Sequence, residues 1–124
     1  MGRYITKDSG KREDFKTGAR RDIQLDKPRY DLIPPSALKR LADLYSRGAV
    51  KYGENNFQKG IPFKRVYASM YRHMIQFAEG ENTEDHLAAV AWNAFALMFY
   101  QEQIKNKRLP KELDDMDYNG TIKD

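Results

Sequence analysis

The sequence has no cysteine, only one tryptophan and only two histidines among its 124 residues. Without cysteine, the protein can form neither a disulfide framework nor a thiolate metal site. It also lacks any apolar run close to the ~18 residues that a membrane-spanning helix needs. Residues 1–14 contain no apolar stretch of the kind found in signal peptides. We therefore expect a cytoplasmic protein that has no membrane partner.

Positive charge is in slight excess, and the excess lies at the start of the chain. The net charge is +4, and residues 1–30 carry nine Lys or Arg against five Asp or Glu. A basic segment ahead of a near-neutral body favours a polyanionic ligand, although a soluble disordered tail has the same composition. Basic residues are not concentrated on one helix face, so the pattern does not favour a nucleic-acid partner.

Apolar residues recur at helical spacing in three parts of the chain and predict an all-α fold, a small bundle of three main helices. The pattern places these helices at residues 36–49, 64–78 and 84–107, with Thr83 as the N-cap of the third. No segment shows the alternation that is typical of a strand. The third helix is apolar over much of its girth, which predicts that it is buried in a homo-oligomer, most simply a dimer.

Composition divides the chain into three parts. Residues 1–31 have no helical period and are predicted to form an irregular basic arm that packs on the bundle. Residues 32–108 are predicted to form the helical domain that binds the ligand. Residues 109–124 are rich in acidic side chains and are predicted to be a mobile tail.

Three polar side chains, His73, His86 and Asn93, fall on helix faces that are otherwise apolar. The turn between the second and third predicted helices is short, so these helices must run antiparallel and bring the three side chains together. Buried polar groups of this kind need hydrogen-bond partners. Two interpretations remain open: an internal network that fixes the register of the helices, or a site in which a histidine moves protons.

Four acidic residues gather at the turn itself, at Glu79, Glu81, Glu84 and Asp85. Carboxylates at one place can hold Mg²⁺ together with the phosphates of a substrate. A solvated turn with acidic residues near a helix N-terminus explains the same cluster without a metal. The spacing also differs from the Glu-x-x-Glu plus Glu-x-x-Asp pattern of known all-α Mg²⁺-dependent nucleotide diphosphohydrolases.

The segment Lys51–Gly60 combines a cation, aromatic rings and amide side chains. This mixture suits a nucleotide, because rings can stack on the base, amides can read its edge and a cation can bind phosphate. An ordinary polar loop between helices is the alternative. The basic residues that could bind phosphate are Arg20, Arg21, Lys27, Arg29, Lys51 and Arg72.

Several segments, taken in order, resemble a phage-associated family that is named for the N-terminal domain of dATP/dGTP diphosphohydrolases. The resemblance extends over most of the chain, and Phe57 stands where we expect tryptophan in this family. The matching segments are Phe15-x-Thr17-Gly18-Ala19-x-Arg21-Asp22, Lys27-Pro28-Arg29-Tyr30-Asp31-Leu32-Ile33-Pro34-Pro35, Ala37-Leu38-x-x-Leu41-Ala42, Gly48-Ala49-x-Lys51-Tyr52-Gly53-x-x-Asn56-Phe57-x-x-Gly60, Arg72-His73 and Gly80-Glu81-x-x-x-Asp85-His86-Leu87-Ala88-Ala89-x-x-Trp92-Asn93.

The resemblance implies a nucleotide ligand and the release of pyrophosphate from dATP or dGTP with the help of Mg²⁺ or Mn²⁺. It also implies a phage or prophage origin, and hence the cytoplasm of a host cell. The expected metal ligands are Glu81, Glu84 and Asp85, and the expected catalytic residues are His73, His86 and Asp85. The residues expected to bind the substrate are Arg21, Arg29, Lys51, Tyr52, Asn55, Asn56, Phe57, Arg72 and Asn93.

Two further functions compete with hydrolysis. The protein could bind and sequester a nucleotide or a nucleotide signal without cutting it, for which the basic arm and Lys51–Gly60 would suffice. It could instead be a helical interaction module whose residues 1–30 bind nucleic acid, with an affinity that falls steeply as salt rises. Turnover separates the first alternative from hydrolysis, and salt dependence identifies the second.

Overall fold

The computed structural model describes residues 4–24 and 26–118, which fall into two compact units, Met1–Ile33 and Pro34–Asp124. The start of the predicted arm and the end of the predicted tail lie outside the described residues. The predicted packing of the arm on the bundle stays a prediction. Within the described part of the chain, no helix combines the length and the apolar character needed to cross a membrane.

The first unit contains a short antiparallel β-hairpin, formed by β1 (Arg12–Asp14) and β2 (Arg20–Asp22). Gly18 lies in the connecting turn with φ of 88°, a left-handed conformation that glycine adopts without strain. The sequence predicts no strand here, and the hairpin corrects this prediction. Nearly every side chain of the two strands is polar and exposed, so the alternating pattern that identifies a strand is missing.

Polar contacts join the two sides of this hairpin. The Arg20 guanidinium lies 2.7 Å from the Asp14 carboxylate on the facing strand. Ser9 donates hydrogen bonds from its hydroxyl and its amide to Asp22, and these bonds hold the pKa of that carboxyl below its usual value. Water screens exposed pairs of this kind, so they stabilise the hairpin only modestly.

The second unit contains three α-helices, which confirms the predicted all-α fold. Helix α1 spans Pro35–Tyr52, α2 spans Phe63–Ala78 and α3 spans His86–Lys105. Helices α2 and α3 form an antiparallel pair, and α1 packs against α3. Short 3₁₀ helices occur at Asn56–Lys59 and Lys111–Leu113.

Helix α3 begins later than predicted, and its N-cap is Asp85 rather than Thr83. The Asp85 carboxylate accepts a hydrogen bond from the Ala88 amide at 3.1 Å. Thr83 is engaged elsewhere, because both its amide and its hydroxyl donate to the Glu81 carboxylate. Thr and Asp are both good N-cap residues, and the turn contains one of each. The sequence does not reveal that Thr83 already donates its hydrogen bonds to Glu81, which leaves Asp85 as the cap.

The apolar core lies at the end of the α2–α3 pair that is far from its connecting turn. Phe63 and Val66 of α2 are buried there against Ala96 and Tyr100 of α3. The rings of Phe63 and Tyr100 stack with centroids 6.4 Å apart. The Tyr100 hydroxyl donates a hydrogen bond of 2.6 Å to the backbone carbonyl of Phe57, so this buried polar group is satisfied.

The segment that follows α3 packs on this core. Leu109, Leu113 and Met116 contact it, and the Lys64 amide donates a hydrogen bond of 2.8 Å to the Asp115 carboxylate. The sequence predicts a mobile acidic tail from residue 109, and the structure places Leu109, Leu113 and Met116 of this segment against the core. Acidic and apolar residues are interspersed in this segment. A prediction made from charge alone therefore overlooks the apolar residues that can be buried.

Helix α3 carries no charged side chain from Leu87 to Tyr100. Helices of this composition are usually buried on all sides. In the single chain, Leu87, Phe95 and Met98 are nevertheless exposed over 45%, 44% and 52% of their full areas. A second copy of the chain could cover these side chains. The homo-oligomer expected from the sequence therefore remains a prediction.

Candidate functional site

A cleft of about 690 Å³ opens among the elements of the second unit. Helix α1, the segment that follows it, α2 and α3 all contribute to its lining. We call one part of the lining the aromatic wall, which consists of Tyr45, Phe57 and Trp92. We call another part the polar end, which lies at the α2–α3 turn and includes His73 and Glu84.

The aromatic wall is built by three different elements. Tyr45 comes from α1, Phe57 from a 3₁₀ helix and Trp92 from α3. Their ring centroids are 5.5 Å apart for Tyr45 and Phe57, 5.9 Å for Tyr45 and Trp92, and 6.2 Å for Phe57 and Trp92. Aromatic pairs at these distances attract one another and hold their orientations, so the wall is a preformed aromatic surface of the cleft.

At the polar end, the structure brings together the two histidines of the chain. His73 lies on α2, and His86 is the buried first residue of α3. Their Nδ1 atoms are 2.9 Å apart, as the antiparallel pairing about a short turn requires. Burial is the main cause that lowers the pKa of His73, and the positive charge of Arg72 lowers it further.

Glu81 holds the other side of the His86 ring. A carboxylate oxygen of Glu81 is hydrogen-bonded to His86 Nε2. The second oxygen accepts hydrogen bonds from the amide and the hydroxyl of Thr83. The Thr83 hydroxyl is the largest cause that lowers the pKa of Glu81 to about 2, and the bond to His86 comes next. Glu81 is therefore an anion at neutral pH, and His86 Nε2 is the donor to it.

Asp85 is engaged with a residue that the sequence does not reveal. Arg40 of α1 donates two parallel hydrogen bonds, of 2.8 and 2.6 Å, to the two Asp85 oxygens. This bidentate pair is the main cause that lowers the pKa of Asp85 to about 2. Arg40 and Asp85 are 45 positions apart, and no local pattern connects them. The carboxylate that we expected to bind metal thus joins α1 to the start of α3.

One group of metal-ligating atoms does come together in the described residues. His73, Glu84 and His86 each offer one such atom, and these atoms lie within 4.8 Å of one another. Glu84 Oε2 is 3.9 Å from His86 Nδ1, and its side chain is 65% exposed. This set shares only Glu84 with the predicted set of Glu81, Glu84 and Asp85.

Asn93 is buried in the wall of the cleft, close in sequence to Trp92. We predicted that it would approach the two histidines. Its amide nitrogen instead donates a hydrogen bond of 2.8 Å to the Ala89 carbonyl within α3. Its oxygen still provides an acceptor for a ligand in the cleft.

The predicted substrate residues at the end of α1 and in the segment that follows it divide into two groups. Lys51, Tyr52, Asn56 and Phe57 line the cleft, whereas Asn55 is exposed and is not among its described lining residues. Lys51 Nζ lies 5.1 Å from the centre of the Tyr52 ring, within the range of a cation–π contact.

Two further cations, Arg47 of α1 and Arg65 of α2, line the cleft. Nothing in the sequence distinguishes them from other surface cations, because only the packing of the helices turns them toward the same space. Arg47 also contributes to the low pKa of Asp85, so its charge acts on the polar end.

The other predicted phosphate ligands belong to α2 or to the first unit. Arg72 is exposed on α2 and is not among the described lining residues. Arg21 and Arg29 belong to the first unit. Arg21 stands opposite Glu13 in the hairpin, and Arg29 is paired with Asp31 at 2.7 Å.

Fold and site together define a small helical protein whose cleft joins an aromatic wall to a cluster of histidines and carboxylates. The chain belongs to the family described as dATP/dGTP diphosphohydrolase, N-terminal, which matches residues 17–109. This match confirms the family resemblance. No curated protein and no solved structure matches the chain significantly.

Proposed function

We propose that this chain binds a purine deoxynucleoside triphosphate in the cleft and hydrolyses it to a monophosphate and pyrophosphate. The main support is that one and the same cleft, in a chain of this family, is lined by an aromatic wall, by cations and by His73 and Glu84 of the histidine–carboxylate cluster. Its volume of about 690 Å³ suits a small-molecule ligand.

The base would lie against the aromatic wall. Stacking of a base on aromatic side chains contributes roughly 1–3 kcal/mol, whatever the identity of the base. The cations of Arg47, Lys51 and Arg65 would bind phosphate oxygens, the arginines through paired hydrogen bonds and the lysine as a point charge. Asn56 and Asn93 would supply polar groups that can distinguish one base from another.

The reaction needs a water molecule, an acceptor for its proton and stabilisation of the leaving group. The water oxygen forms a bond to the α-phosphorus while the bond between that phosphorus and the α,β-bridging oxygen breaks. Pyrophosphate leaves with the bridging oxygen and the bonding electron pair. A base at the polar end takes the proton of the water, and the cleft cations stabilise the negative charge of the leaving pyrophosphate.

The family name suggests metal assistance, but the three predicted carboxylates do not fit a Mg²⁺ site. Asp85 is bonded to Arg40 and to the Ala88 amide, and Glu81 is bonded to Thr83 and His86. Mg²⁺ prefers oxygen ligands in a near-octahedral arrangement. Of these three carboxylates, only that of Glu84 is free to approach an ion in the cleft, so we assign no step to Mg²⁺ held by this set.

The direct test incubates the protein with dATP or dGTP and either Mn²⁺ or Mg²⁺, and separates the products by ion-exchange chromatography. We expect monophosphate and pyrophosphate in equal amounts. Phe57→Ala should raise KM about tenfold, which corresponds to roughly 1.4 kcal/mol of lost stacking. Phe95→Ala, on the exposed side of α3, is the matched control and should leave KM unchanged. Equal KM values for the two variants would refute the aromatic wall as the base site.

Nucleotide binding without hydrolysis is the second candidate. It is favoured by the fact that Glu81 and Asp85 already have partners within the chain, which leaves few groups for catalysis. This function predicts that dATP or dGTP binds to the protein and is recovered intact after prolonged incubation with either metal ion. Stoichiometric release of pyrophosphate would exclude it.

A further inference from the structure

The two histidines of the polar end face each other through the same ring atom. Their Nδ1 atoms are 2.9 Å apart. Glu81 accepts a hydrogen bond at His86 Nε2, which assigns the ring proton of a neutral His86 to that nitrogen. The Nδ1 atom of His86 therefore carries a lone pair, and this atom faces the Nδ1 atom of His73.

The spacing of these atoms agrees with that of ligands around one ion. Metal–nitrogen and metal–oxygen bonds of about 2.0–2.2 Å place neighbouring ligand atoms about 2.8–3.6 Å apart, from an octahedral to a tetrahedral arrangement. The two Nδ1 atoms already meet this condition. Glu84 Oε2 lies 3.9 Å from His86 Nδ1, and a small rotation of its 65% exposed side chain would bring it within the range.

We propose that His73, His86 and Glu84 form a binding site for a divalent first-row transition metal ion, such as Mn²⁺, through both Nδ1 atoms and the Glu84 carboxylate. Two imidazoles and one carboxylate suit these ions, whereas Mg²⁺ favours an all-oxygen set. Glu81 is a positioning residue, because its bond to Nε2 fixes the tautomer and the orientation of the His86 ring.

The remaining neighbours of the site agree with this division of roles. Thr83 donates two hydrogen bonds to Glu81 and so holds the carboxylate that orients His86. Asp85 lies next to Glu84 in sequence but is bonded to Arg40, which leaves Glu84 as the acidic ligand. Any contribution of this site to hydrolysis rests on the proposed function. Binding of the ion itself can be tested without nucleotide.

The test titrates Mn²⁺ into protein that has been dialysed against a chelator, with no nucleotide present, and follows bound Mn²⁺ by electron paramagnetic resonance. We expect one ion per chain and an electron spin-echo signal from imidazole nitrogen. A roughly tenfold excess of Mg²⁺ should not displace the ion, because nitrogen ligands favour transition metals. His73→Ala should remove the nitrogen signal of one ring and weaken binding.

Two glutamate variants separate ligand from positioning residue. Glu81→Gln should weaken Mn²⁺ binding by about 10- to 100-fold, the usual effect of losing an outer partner of a ligating histidine, while both nitrogen ligands remain visible. Glu84→Gln should weaken it at least as much. Glu79→Gln, which removes an exposed charge from the same turn, is the matched control and should bind normally. Glu84→Gln and Glu79→Gln should melt like the wild type in the absence of metal.

Several outcomes would overturn the site. These are absence of Mn²⁺ binding by the wild type, a bound ion without a nitrogen signal, equal displacement by Mg²⁺, and Glu84→Gln that binds like Glu79→Gln. Glu84 is exposed, so Glu84→Gln should fold and can test the site even if His73→Ala fails to fold. Mn²⁺ binding with no release of pyrophosphate supports the site and contradicts only the proposed function.

Discussion

The two ends of the α2–α3 pair differ in almost every respect. At one end, Phe63 and Tyr100 are buried in an apolar core. At the other end, next to the turn, His73 faces the buried His86, and Glu81 contacts its ring. Both ends belong to the same antiparallel helix pair, and their side chains differ. One pair of helices thus separates the residues that stabilise the fold from those that can bind a ligand.

The largest effect on stability is expected at the core end. Phe63→Ala should lower the free energy of unfolding by about 3–5 kcal/mol, because it leaves a cavity among buried side chains. Urea unfolding followed by circular dichroism measures this loss. The exposed Phe95→Ala is the control and should cost less than about 1 kcal/mol. Similar losses for the two variants would show that the core end has no special role.

A second effect at the core end depends on pH. Burial raises the pKa of Tyr100 to about 12, above its ordinary value of 10.0. A raised pKa means that the stabilisation is complete below pH 10 and is lost as the pH rises through about 12. The shift corresponds to roughly 2–3 kcal/mol. Urea unfolding between pH 8 and 12 should show this loss in the wild type and a shallower decline in Tyr100→Phe.

A third, smaller effect concerns the contact between α1 and the start of α3. Asp85→Ala removes both the helix cap and the partner of Arg40, and should cost about 1–2 kcal/mol. Arg40→Ala removes only the exposed half of the ion pair and should cost less than Asp85→Ala. Urea unfolding of both variants and of the double variant measures their coupling. If Arg40→Ala costs more than Asp85→Ala, the cap is not the larger contribution.

The smallest effect on stability is expected at the turn end. Glu84→Gln should change the free energy of unfolding by less than about 0.5 kcal/mol, because Glu84 is an exposed side chain. The same variant should lose Mn²⁺ affinity, measured by titration of the metal alone. A large loss of stability here would contradict the division between the two ends.

Sequence reasoning succeeded where local spacing determines the structure. Periodic apolar residues predicted the three helices, and the short turn predicted that His73 and His86 approach each other. It failed where distant elements meet. Nothing local connects Arg40 with Asp85, or Tyr45 with Trp92, since their helices come together only through packing.

Acidic composition was also a poor guide to which carboxylates are free to bind an ion. Glu81, Glu84 and Asp85 are all acidic residues of the same turn. In the structure, Glu81 contacts the His86 ring, Glu84 is exposed and Asp85 caps a helix. These roles depend on hydrogen-bond partners that the sequence does not specify. The hairpin of the first unit was missed for a related reason, because its strands are polar on both faces.

The position of Trp92 has a practical consequence. It is the only tryptophan of the chain, and it lies in the aromatic wall beside Tyr45 and Phe57. Intrinsic fluorescence excited at the indole band therefore reports on the cleft alone, without any label. A planar ligand that stacks there should quench this emission, whereas an ion or ligand bound far from the wall should leave it unchanged. The protein thus contains its own optical probe for occupancy of the cleft.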